Sequence, residues 1–78
     1  MTLEILTPDI SLWKGEANLI QLPGTDGSFE ILNNHAPLIA VLKKGKVRIV
    51  TPDKNTKFVD IEGGIIEVLH NNIIILAE

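Results

Sequence analysis

Polar and apolar residues alternate in twos along much of this 78-residue chain. Leu3 and Ile5 are spaced by Thr2 and Glu4, Val47 and Ile49 by Lys46 and Arg48, and Val59 and Ile61 by Phe58 and Asp60. A strand points successive side chains to opposite faces. This period therefore sets one face on a core and the other toward solvent or a partner. No stretch carries a 3.6-residue period over three turns, so strands are the only regular element expected. Two segments break the alternation, because residues 38–42 and 73–76 are apolar throughout. Such runs are strands covered on both faces, or strands whose outer face stays apolar for a partner.

Turn residues punctuate these segments every eight to twelve positions, the spacing of a sandwich or barrel. They fall at Pro8-Asp9, Lys14-Gly15, Gly24-Thr25-Asp26-Gly27, Asn33-Asn34, Lys44-Gly45, Pro52-Asp53-Lys54-Asn55, Gly63-Gly64 and Asn71-Asn72. There is no linker, low-complexity run or internal repeat, so residues 1–78 are expected to form one domain.

Composition narrows the function. A chain this short hides roughly 60–65% of its unfolded surface, close to the limit for a single core. With no cysteine, neither a disulfide nor a thiolate metal site supplements that core. Twelve Ile, ten Leu and five Val supply it instead, against only Trp13, Phe29 and Phe58 as aromatics. The β-branched excess suits a pleated surface. A net charge of −3 gives no electrostatic footprint for nucleic acid. No apolar run approaches the ~20 residues of a membrane-spanning helix. The start Met-Thr-Leu-Glu lacks the basic end and apolar stretch of a signal peptide. The expectation is a soluble protein of the cytoplasmic side.

Candidate chemistry is sparse. His35 has the side chain for acid–base work, but no Ser or Cys signature stands beside it. It is either a corner residue bonding backbone carbonyls or part of a subunit contact. His70 is most simply a hairpin-turn residue, and the two histidines lack metal-ligand spacing. The Gly24–Gly27 loop lacks the Lys-Ser/Thr of a phosphate loop, and no helix opens after it. It is expected to be a turn in which glycine supplies positive φ and Asp26 caps backbone amides. Trp13 has no second aromatic near it in sequence to build a ligand platform, so it is expected to anchor the core.

The stretch from Gln21 to Arg48, QLPGTDGSFEILNNHAPLIAVLKKGKVR, carries a family resemblance. Its Leu-Pro-Gly strand end, acidic Gly loop and His-Ala-Pro-Leu resemble the amino-terminal β-sandwich domain of the epsilon subunit of F-type ATP synthases. Leu3 to Pro8 resembles that family's first strand, Trp13 to Glu16 the aromatic-x-Gly opening of its second, and Glu62 to Val68 its Gly-Gly-x-x-Glu-Val hairpin. The resemblance covers nearly the whole chain in order. It implies an all-β sandwich of about ten short, mostly antiparallel strands in two packed sheets.

The resemblance also implies a function, that of a non-catalytic rotor subunit without cofactor or metal. It would bind the gamma subunit to form the lower central stalk and rest on the c-ring. Thr7, His35, Ala40 and Lys46 lie where the family meets gamma. Gly24, Thr25, Asp26, Gly27, Ser28, Phe29, Glu30 and Ile31 lie where it meets the c-ring. The implied location is peripheral, on the cytoplasmic face of a bacterial plasma membrane, with no insertion and no tight nucleotide binding. Two departures stand out. Asn33-Asn34 replaces the family's frequent Pro-Gly before His, and Lys44 replaces its common Pro before Gly45. The chain ends at Glu78, where the family usually continues into two helices, so the resemblance implies a subunit without that helical hairpin. The alternative is a free-standing, carbohydrate-binding type of β-sandwich, disfavoured by one Trp and no Tyr.

Overall fold

Every period-two segment named above forms strand in the computed structural model, which describes residues Met1–Glu78. The elements are β1 (Thr2–Leu6), β2 (Ser11–Glu16), β3 (Leu19–Gly24), β4 (Gly27–Leu32), β5 (Leu38–Val50), β6 (Thr56–Leu69) and β7 (Asn72–Ala77). They join in one sheet of order β2-β1-β7-β6-β5-β3-β4. Only the β1–β7 pair is parallel.

This sheet cannot be flat. At strand rise β5 and β6 would each run about 40 Å, but the longest dimension of the molecule is 27 Å. Both strands therefore bend, and together. Leu38 to Lys43 of β5 pair with Gly63 to Val68 of β6, and Gly45 to Val50 pair with Thr56 to Ile61. β7 pairs only with the second half of β6, and β3 only with β5 from Leu42 onward. The bend divides the sheet into two layers. The first holds β2, β1, β7, the second half of β6 and the first half of β5. The second holds β4, β3 and the remaining halves.

The layers close on one core of sixteen buried hydrophobic residues, with no buried polar side chain. Leu3, Ile5, Ile66, Ile73 and Ile75 come from the first layer and Ile20, Leu22, Ile31, Val47 and Ile49 from the second. Trp13, Phe29, Leu38, Ala40 and Val59 pack against its margin. Trp13 is thus a core anchor, as expected.

The all-β class is as expected, but the strand count is seven rather than about ten. The two packed layers are halves of a single hydrogen-bonded sheet. The excess came from reading glycine as a turn. Lys14-Gly15 lies inside β2, Lys44-Gly45 inside β5, and Gly63-Gly64 inside β6. Glycine in a strand also marks a bend or a close backbone approach. A Cβ on Gly64 would meet the Leu76 carbonyl oxygen at 2.3 Å, and one on Gly45 would meet Pro23 at 2.8 Å. Gly63 and Gly64 have φ of 141° and 151°, which L side chains rarely adopt.

At the bend each strand also changes which parity faces inward. Leu42 is buried on an even position of β5, Val47 and Ile49 on odd ones. In β6, Ile61 is buried before the bend and Ile66 and Val68 after it. The last hairpin turns on His70-Asn71, so His70 is the hairpin-turn residue expected, one position ahead of the Asn71-Asn72 turn signal. Both have positive φ, 50° and 62°, as a two-residue type I′ turn requires. Asn34 also has a positive φ of 63°, a region that asparagine tolerates and glycine ordinarily fills.

Candidate docking surfaces

The two layers expose outer faces of opposite character. On the first, residues 38–42 and 73–76 are not covered on both sides. Their burial alternates, which leaves Ile39, Val41, Ile74 and Leu76 outward. Register places Val41, Ile65, Leu76 and Leu6 in one row across β5, β6, β7 and β1. The next row is Ile39, Glu67, Ile74 and Glu4. With Leu69 beyond them, six large aliphatic residues on this face are between 40% and 72% exposed. Scattered single apolar residues are ordinary on a surface, whereas a contiguous group of this kind marks a contact site.

The outer face of the second layer is a polar network. Arg48 Nε donates to Gln21 Oε1 at 3.0 Å, and Gln21 Nε2 donates to Ser28 Oγ at 3.1 Å. The Arg48 guanidinium lies 3.6 Å from Glu30, and Lys46 pairs with Asp60 at 2.9 Å. Lys44 and Glu62, opposite each other at the bend, are 3.6 Å apart. Exposed pairs of this kind add at most about 1 kcal/mol each to stability. Their main effect is to keep this face hydrated. Phe58 and, toward the β4 edge, Leu32 are its exposed apolar side chains.

The residues expected at the gamma contact are spread over the molecule. Thr7 closes the β1–β2 turn at the bend end, where its hydroxyl accepts from the Ile10 amide at 3.1 Å. His35 lies at the opposite end of the first layer, exposed, with Nδ1 donating to the Ala36 carbonyl at 2.7 Å. Its neighbour Asn34 donates its amide to Asn71 Oδ1 at 2.8 Å. The two residues thus flank the two ends of the apolar face. Ala40 lies between Ile39 and Val41, but its side chain turns inward against the core. Lys46 belongs to the second layer and is held by Asp60.

The residues expected at the c-ring stay together. Gly24 to Ile31 form the β3–β4 hairpin, with Thr25 to Ser28 exposed at its tip. Gly24 and Ile31 are buried and Phe29 is half-buried, so the outward surface is Thr25, Asp26, Gly27, Ser28 and Glu30. Gly27 supplies positive φ of 128° as expected. Asp26 does not cap the turn. The tip is held instead by the Thr25 amide donating to the Val41 carbonyl at 3.3 Å, which leaves the carboxylate free in solvent. At the far end of the second layer, the Thr51 hydroxyl beside Asp53 holds its carboxyl below the usual range, helped by Asn55.

His35 and His70 do line one shallow concavity, yet no group of three metal-ligating side chains gathers anywhere. Ile65 and Glu67 of the apolar face stand in the Gly-Gly-x-x-Glu-Val motif but are not assigned to a contact from sequence. Their signal is the pairing of an apolar β6 face with two unbroken apolar runs, legible only once register is known.

Residues 1–78 match the family described as ATP synthase, Delta/Epsilon chain, beta-sandwich domain. The chain is 46% identical to the ATP synthase epsilon chain of Chlorobium limicola over 97% of its length and 86% of the relative's. In structure it resembles a chain of the Euglena gracilis mitochondrial ATP synthase, solved as OSCP/F1/c-ring. The TM-score is 0.89 at 19% identity, over 96% of this chain and 48% of that one. A chain of the Tetrahymena thermophila mitochondrial ATP synthase, solved as central stalk/c-ring, gives 0.80 at 21% identity. That likeness covers 97% of this chain and 61% of the other. These two likenesses concern the fold.

Proposed function

Because the chain belongs to the ATP synthase delta/epsilon chain β-sandwich family, we propose that it joins the gamma subunit to the c-ring in the central stalk. Its part in the ATP synthase complex is non-catalytic. It sits peripherally on the cytoplasmic face of a bacterial plasma membrane and passes ring rotation on as torque. The observation that carries this reading is the contrast between its outer faces. An apolar face flanked by Thr7 and His35 meets gamma, with Ala40 supporting it from below and Lys46 across the bend. The exposed hairpin tip, residues 25–28 with Glu30, meets the polar loops of the c-ring. Gly24, Phe29 and Ile31 hold that hairpin on the core.

Close packing suits such a part, because a dense core deforms little under load. The test is titration of the chain into purified gamma and into the assembled ring. Val41→Asp places a charge in the apolar face without touching the core, and should weaken gamma binding at least tenfold. Asp26→Lys should change ring docking and leave gamma binding alone. If both variants weaken the same partner, or neither weakens any, the two-surface assignment is wrong.

A further inference from the structure

Glu67 stands apart from every other carboxylate in the strands. Glu4 accepts from Ser11 Oγ at 3.2 Å, and Glu16 lies 3.6 Å from the Met1 amino group. Glu30 faces Arg48, Asp60 faces Lys46, and Glu62 faces Lys44. Glu67 makes no ion pair and no side-chain hydrogen bond. Register explains why. Its cross-strand neighbours are Ile39 on β5 and Ile74 on β7, and its neighbours along the same face of β6 are Ile65 and Leu69. All four are exposed aliphatics. The diagonal positions, Pro37 and Val41 on one side and Asn72 and Leu76 on the other, carry no charge. Lys43, the one cation of β5 on this face, is opposite Gly63, four residues along β6 from Glu67. That is about 13 Å away.

A carboxylate in this position is hydrated only while the face is open. Any partner that covers Ile39, Ile65, Leu69 and Ile74 strips water from Glu67 with them. A carboxylate desolvated without a counter-charge cancels the gain from the surrounding aliphatics. We propose that the partner of this face sets a basic side chain, arginine by preference, directly over Glu67 within a ring of apolar contacts. Arginine fits best because its planar guanidinium is weakly hydrated and meets a carboxylate with two parallel hydrogen bonds. Glu67 then determines specificity, since a partner without the cation leaves a buried charge unpaired. A second copy of this chain is disfavoured as the occupant. It would bring another Glu67 to the centre of the interface, while its own Lys14 and Lys43 stay at the rim.

The inference rests on the assignment of this face to gamma, and one set of titrations separates the two. The full chain and four variants, Glu67→Gln, Glu67→Lys, Glu62→Gln and Val41→Asp, are titrated into gamma by calorimetry. Their thermal melts are recorded in parallel. Glu67→Gln should bind 10- to 100-fold more weakly with an unchanged melt, and Glu67→Lys should show no binding. Glu62→Gln removes the same charge at the bend and should bind like the parent. Loss of binding in Val41→Asp with parental binding in Glu67→Gln overturns the ion pair and leaves the face assignment standing. Parental binding in both overturns both. An equal loss in Glu62→Gln reduces the effect to overall charge and overturns the specific pairing. Sedimentation of the parent alone should give a monomer, and a dimer that Glu67→Gln tightens would also refute the proposal.

Discussion

Replacing Gly64 by alanine tests whether the bend in β6 depends on a missing side chain. Two costs add at this position. Its φ of 151° is one that an L residue rarely adopts, which costs about 1–3 kcal/mol. The new Cβ would also lie 2.3 Å from the Leu76 carbonyl oxygen and 3.0 Å from the Ala77 Cα. Both atoms are backbone of β7, paired with β6 through Gly64↔Ala77 and Ile65↔Leu76. The carbonyl cannot swing aside like a side-chain tip, so relief means shifting β7. Overpacking of this kind costs a further ~1–3 kcal/mol. The sum, about 4 kcal/mol, is a large part of the roughly 4–12 kcal/mol expected for a domain of this length.

Gly27 provides the internal control. Its φ of 128° brings the same type of strain, but a Cβ there would meet nothing within 4 Å. Gly27→Ala should therefore show the conformational cost alone, about 1–3 kcal/mol. Urea denaturation followed by circular dichroism reads both variants. At a slope near 1 kcal/mol/M, the extra cost shifts the Gly64→Ala midpoint down by a further ~1–3 M, with the slope unchanged. Equal midpoints for the two variants would mean that β7 accommodates the Cβ freely. The close-approach argument for the bend would then be wrong.

The alternation in β7 makes a second pair of variants informative. Ile75→Ala, at a fully buried position, should cost about 2–5 kcal/mol, and Ile74→Ala, on the outer face, less than ~1 kcal/mol by the same urea assay. Calorimetry of the isolated chain against ATP should show no saturable site, and a micromolar one would contradict the non-catalytic, nucleotide-free role proposed.

Much of the fold was legible because a period of two is a direct trace of the pleat. Leu3 and Ile5, Val47 and Ile49, and Val59 and Ile61 all turn inward as the pattern required. The bend was not legible from local composition, because glycine looks the same in a turn as in a strand bent against another backbone. A longer view carries the distinction. Buried positions in β5 are even up to Leu42 and odd from Val47, and a turn between separate strands need not produce that change within one paired register. The site divides in the same way. The hairpin from Gly24 to Ile31 is contiguous, so a motif located it as a unit. The apolar face is assembled from β5, β6, β7 and β1, and no local motif contains it. The unbroken runs at 38–42 and 73–76 signalled either full burial or a partner face, and their alternating burial excludes full burial within this chain.

The same bend bears on how a part this small could carry load between two partners. The apolar face lies on one layer and the hairpin tip belongs to the other, yet no loop connects those layers through β5 or β6. Both strands cross without a break in register, from Leu38↔Val68 to Val50↔Thr56. The hairpin tip is tied back to the first layer by the Thr25–Val41 hydrogen bond, at the β5 end of the apolar row of Val41, Ile65 and Leu76. A force applied at Asp26 therefore reaches the proposed gamma face through paired strands and one tied turn. Hinge motion needs a few residues free to change φ and ψ, whereas at this crossing Gly45 is paired with Ile61 and Gly64 with both Leu42 and Ala77. Such a connection would hold the two proposed docking surfaces at one angle, the property that the proposed torque-bearing role requires.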